Sequence, residues 1–306
     1  MTKRFTFFTK ILSTLFITAV LSSCFASKRA RVKKLIGRTD LMIREESAGI
    51  ASLGQKKDSA FYEERIDTTI SNRITARLMT LMNPLDSAKQ EASYLSEILK
   101  NKKEFRKQYK SAVLARITYL ENFYKKRKVR LYKVYVINKA IDIADKKQFE
   151  LAAFFGPGKY VIPKESYNQA VTIFSPVIDS VVKFGNMYDS LHNTATIVVN
   201  GYADATGVGA GSELEKILLG YLKESAAPKA ELNRAISELR ARQINMLLTE
   251  KALLNKWKVF KNPQNISMEF IGYGQGETFP SKSINNYSID DPRRRIVLIY
   301  WIVLPD

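Results

Sequence analysis

Apolar residues recur at steps of four or three along "RIDTTISNRITARLMTLMN": Ile66, Ile70, Ile74, Leu78 and Leu81. That spacing gathers them on one face of an α-helix. Asn83 and Pro84 predict the end of this helix, the proline suiting the first turn of the next. A second stripe runs through Leu95, Ile98, Leu99, Phe105, Tyr109, Val113, Ile117, Leu120 and Phe123. Unbroken from Asp86 to Lys126, that helix would be roughly 60 Å long at about 1.5 Å per residue. In "RLYKVYVINKAIDIAD", Val134 and Val136 alternate like a strand, but Leu131, Val134, Ile137 and Ile141 fit a helix, which is the reading adopted. Such stripes predict a helix-helix seam, hence a helical hairpin or coiled-coil-like arm able to self-associate.

The texture changes near Gln148. "FELAAFFGPGKYVIP" reads as a strand, then a loop at Gly156, Pro157 and Gly158. Tyr167, Val171, Phe174, Ile178 and Val182 form a helical stripe, with a kink expected at Pro176. "TATIVVNGYA" reads as a strand, "AELNRAISELRARQINMLL" as a helix, and "ISMEFIGYG" and "RRRIVLIYWIVL" as strands. Strands separated by helices of this length imply a sheet with helices packed on it, α/β or α+β. The stretch "GYADATG", Gly201 to Gly207, leaves a strand into Asp204, Thr206 and Gly207. By itself this is turn chemistry or half of a ligand grip, because Asp bonds its own backbone and Gly permits positive φ.

Charge and the first segment narrow the partners. The 306 residues hold 49 Lys and Arg against 30 Asp and Glu, a net +19, which attracts anionic surfaces. Lys3, Arg4 and Lys10 precede the apolar run "ILSTLFITAVLSS", too short for a comfortable membrane span and ending in small residues, as a secretory signal does. Its end, "LSSC", resembles the lipobox of bacterial lipoproteins, whose cysteine is diacylated at sulfur and acylated at nitrogen. Cys24 is the only cysteine, so an intramolecular disulfide is excluded. The resemblance implies a palmitate-bearing anchor at Cys24. Phe25, Ala26 and Ser27 carry no acidic retention signal, so the expected address is the outer membrane, facing the periplasm. There "KKRKVR", Lys125 to Arg130, would meet no nucleic acid and reads as a solvated helix face or a patch for anionic lipid or cell wall.

Four motifs then stand in order: "GYADATG", "NRAISELRA" from Asn233, "GYGQGETFP" from Gly272 and "RRRIVLIY" from Arg293. Together they resemble the carboxy-terminal domain of the OmpA-like, or peptidoglycan-associated lipoprotein, family. Ile236 replaces the usual Leu, and Arg293 stands where asparagine is usual. The resemblance implies an α+β fold over residues 148–306, after a signal peptide at 1–23 and a basic helical arm at 24–147. It also implies non-covalent binding to the diaminopimelate of the peptidoglycan stem peptide. In that family a loop Asp meets the ammonium and a helix Arg the carboxylate, which carries over to Asp204 and Arg240. Thr206, Gly207 and Asn233 fall in supporting positions, and the site is expected at the surface. Arg294 and Arg295 are left out of it as starters of the last strand, suited to structural ion pairs. Residues 208–230 are longer than the family usually has, and Leu214, Ile217, Leu218, Tyr221 and Leu222 predict an extra helix there.

The resemblance therefore implies a tether between outer membrane and cell wall, with no cofactor, metal or catalysis. A second reading makes the chain a wall-anchored part of an envelope-spanning secretion, motility or transport assembly, its arm binding an envelope-protein partner. A murein-cleaving enzyme is the weakest reading: His192 is the sole histidine, and no second acid accompanies Asp204 in its motif.

Overall fold

The structure, a computed structural model, describes residues 2–150, 155, 159–204, 207–281, 284, 286–288 and 291–306, with backbone alone at 2–24, 251, 253–257 and 292. The Cys24 side chain, the Gly156–Gly158 loop and Thr206 therefore lie outside the described residues. The chain divides into two compact units, residues 1–52 with 78–134, and residues 53–77 with 135–306. Residues that pack with the sheet thus begin well before the change of texture at Gln148.

The first unit is built from helices α1 (Thr2–Tyr62), α2 (Thr68–Lys100), α3 (Lys102–Gln108), α4 (Leu114–Lys125) and α5 (Arg127–Ile143), three of which continue into the second unit. Pro84 does not end a helix; it lies inside α2. The buried stripe explains this, because Leu81, Leu85 and Ala88 continue it across the proline. Their burial offsets the roughly 3 kcal/mol that proline costs in a helix interior.

The expected long helix is likewise broken. The Asn101 side chain accepts from the backbone N–H groups of Lys103 and Glu104 at 3.0 and 3.1 Å, starting α3 afresh. Tyr109–Val113 then forms a π-helical turn. Steps of four from Phe105 through Tyr109, Val113 and Ile117 would drift around a regular α-helix, and the wider turn returns Val113 and Ile117 to the buried face. Arg130 and Glu46 form a buried ion pair in this unit: Arg130 donates to both Glu46 oxygens, at 2.7 and 3.1 Å, while its guanidinium lies 3.8 Å from the Phe123 ring centre.

The second unit contains a four-stranded mixed sheet in the order β1 (Lys147–Glu150), β4 (Ile296–Pro305), β2 (Asn193–Gly201), β3 (Ile266–Gly274). β2 and β3 are parallel; β4 runs antiparallel to β1 and β2. With helices α6 (Tyr167–Met187), α7 (Glu213–Leu222) and α8 (Lys229–Val259), the fold class is α+β. α6 continues through Pro176 and buries Phe174, Val177, Ile178 and Val181. Arg293 and Arg294 do not open the last strand: they form a short 3₁₀ turn, and β4 starts at Ile296.

Every residue of β4 is buried, so "IVLIYWIVLP" reads as a continuous apolar run rather than an alternating one. α6 and α8 cover one sheet face. The other meets residues 53–77: Asp67 faces Asn200, and Arg73 pairs with Glu269 at 2.9 Å.

Candidate functional site

The residues expected to bind ligand converge where β2 ends against α8. Helix and strands approach closely because glycine removes side-chain bulk at the contact. A Cβ on Gly201 would collide with the Ser237 carbonyl, and one on Gly274 with the Arg234 carbonyl. Past β2 the chain is pinned on both sides, Tyr202 N–H donating to the Ile296 carbonyl at 3.0 Å and Ala203 N–H to the Gly276 carbonyl at 2.8 Å. Asp204 follows at once, and Gly207 takes φ +84°, a turn geometry that favours glycine.

Asn233 braces this loop from α8. Its amide donates to the Asp204 carbonyl oxygen at 3.1 Å and to Glu277 at 2.7 Å. It lies inside the helix rather than capping it. Two α-helical turns on, Arg240 donates from Nε to the Lys159 carbonyl at 3.0 Å, with its guanidinium 5.7 Å from the Phe155 ring centre. Asp204 and Arg240 are each only 9% exposed, so the surface location expected from sequence is corrected: both carry charge at the edge of the core. Packing of α8 on the ends of β2 and β3 brings this about. Burial lowers the Arg240 pKa, the Asp204 carboxylate raises it, and Arg295 lowers it again. These three charges therefore act on one another.

Arg295 is the residue that sequence reasoning left out. Its Nε lies 3.3 Å from Asp204 Oδ2, and its side chain is 47% exposed. Arg294 is buried instead and donates to the carbonyl of Glu277. Arg293 pairs with Asp291 at 2.6 Å, and the hydrogen bonds it donates hold that carboxyl well below the usual range. Arg295 follows a 3₁₀ turn, so strand alternation could not place its side chain; only the run of three arginines beside a site needing a cation pointed to it.

The predicted extra helix is α7. The Ser212 side chain caps it by accepting from Glu215 N–H at 3.1 Å. Leu218 is buried against Leu232, Ala235 and Ile236 of α8. Tyr221 donates to Glu238 at 2.9 Å, and Arg242 donates to the same carboxylate at 2.8 Å. The insertion is thus packed against the helix that carries Asn233 and Arg240.

Among the described residues no group of three or more His, Cys, Asp or Glu is arranged to hold a metal ion, and no helix is long and apolar enough to cross a membrane. No protein-family profile matches the chain, and no curated protein matches it significantly. Among solved structures, a protein described as MotB-like, from Desulfovibrio vulgaris, aligns over 53% of this chain and 75% of its own, at 13% identity and a TM-score of 0.29.

Proposed function

We propose that this chain is a lipid-anchored protein of the outer membrane that binds peptidoglycan without cutting it. In this reading Cys24 holds the membrane, and the second unit holds the diaminopimelate end of a stem peptide. The observation that carries it is the convergence of Asp204 and Arg240, from a loop and a helix, in one largely buried charged group. A zwitterionic amino-acid end needs an acceptor-only anion for its ammonium and a donor fork for its carboxylate, which Asp and Arg supply. The ligand ammonium would displace the Arg295 contact, whose half-exposed side chain can move into solvent.

Sedimentation with purified sacculi tests the reading. The full chain should sediment, and Asp204→Lys should stay in the supernatant although it is more basic. Arg240→Lys keeps the charge but loses the planar fork, so binding should weaken about tenfold. Circular dichroism of each variant reports whether it is folded. Sedimentation of folded Asp204→Lys at the parent level would mean that only general charge attraction is at work.

A further inference from the structure

On the sheet face turned away from α8, the second unit forms an open cavity of about 430 Å³ between the end of α1, the start of α2, the strand ends and the segment after β3. Its character opposes that of the chain. In a protein of net charge +19, the described residues that line the cavity include two carboxylates, Glu64 and Asp67, and no Lys, Arg or His. Tyr202 and Tyr300 form buried walls, and Tyr273 and Phe279 an exposed rim.

The two carboxylates differ. Glu64 pairs with Lys146 at 2.9 Å and accepts from the Ser281 hydroxyl at 2.8 Å. Asp67 accepts from the Ile70 N–H at 2.8 Å and from the Asn200 amide at 3.3 Å, and forms no ion pair among the described residues. Burial raises its pKa, those two hydrogen bonds opposing the shift. Burial chiefly, then the negative charge of Asp67 and Glu64, pushes the Tyr202 hydroxyl well above its usual range, so it stays a neutral donor and acceptor. The cavity thus pairs a carboxylate that has no counter-ion among the described residues with aromatic walls, the chemistry that receives a cation.

We propose that this cavity is a binding site for a small primary amine in its ammonium form, with Asp67 as counter-ion and the tyrosines as walls. An ammonium offers three donors and no acceptor, matching the Asp67 oxygens and the tyrosine hydroxyls. The volume lies within the range of small-molecule sites. The site is separate from Asp204 and Arg240: Asn200 and Gly201 are neighbours on β2 and face opposite sides of the sheet.

Titration of the full chain with n-butylammonium, and with neutral n-butanol as its isostere, tests the proposal by calorimetry or amide chemical-shift change. The amine should bind at least about tenfold more tightly than the alcohol, as a charge-assisted contact requires. Asp67→Asn, which keeps an acceptor for the Ile70 N–H, should remove that preference, and Tyr273→Ser at the exposed rim should weaken amine binding. Asp204→Ala should change nothing, so failure here and failure of wall binding are distinguishable. Equal affinity for amine and alcohol in the parent chain would overturn the proposal without any variant, and so would an unchanged preference in folded Asp67→Asn.

Discussion

Arg295 pairs with Asp204 across a 3.3 Å contact, while Arg240, the residue expected to share a ligand with Asp204, donates to the Lys159 carbonyl. The two arginines therefore make different predictions. An ion pair with one half-exposed partner contributes at most about 1 kcal/mol. Arg295→Ala should leave sacculus affinity within about fivefold of the parent, because the lost pair only competes with the ligand. Arg240→Ala should lose roughly one to two decades, since a charge-assisted contact is worth about 1.5–3 kcal/mol. Equal losses in the two variants would move Arg295 into the grip itself.

Gly201 tests the geometry that sets Arg240. In Gly201→Ala the new methyl meets the Ser237 carbonyl, so α8 must shift away from β2. Overpacking of this kind costs about 1–3 kcal/mol. Denaturant unfolding should show that loss, and sacculus binding should fall with it although no charged group has changed. Unchanged stability and binding would show that the helix moves aside freely.

Asp67 gives a pH-dependent prediction. Its folded pKa is raised, chiefly by burial, so the folded state holds the proton more tightly than the unfolded chain does. Below the unfolded value of about 3.9 no ionisation cost applies; the cost grows as pH rises toward the folded value and is complete above it. Asp67→Asn keeps a cap acceptor but never ionises. Its melting temperature, taken without amine, should exceed the parent's at pH 7, with the difference closing near pH 3. A parent protein more stable than the variant at pH 7 would contradict the burial argument.

Leu120 is fully buried in the first unit. Leu120→Ala should cost about 2–5 kcal/mol and Leu120→Asp more, because the charge would be buried without a partner. Loss of helical ellipticity during a thermal scan reports both. An unaltered melting curve for Leu120→Asp would mean that the stripe is not a packed seam in solution.

The anchor is tested by labelled palmitate. The parent chain should incorporate the label in a host that processes lipoproteins, and Cys24→Ala should not. Equal incorporation would remove the anchor from the proposed function.

Residue pattern alone determined the helical stripe from Ile66 to Phe123, strands β2 and β3, the apolar run of β4, and helices α7 and α8, because each is a local pattern that the chain carries wherever it packs. Motif order brought Asp204, Arg240 and Asn233 forward as an expected site; that Asn233 braces the loop rather than caps the helix came from the structure. Tertiary packing decided what local pattern cannot encode. Pro84 stayed helical because residues on either side of it are buried together, and the π turn at Tyr109–Val113 arose because a stripe spaced by four must return to one face. β2 carries Thr194, Thr196 and Asn200 on one face. Residues 53–77 cover that face, and the cavity around Asp67 exists only through that long-range contact. Arg295 reached Asp204 for the same kind of reason: a 3₁₀ turn and an antiparallel register joined two distant stretches whose spacing in the chain says nothing of their distance in space.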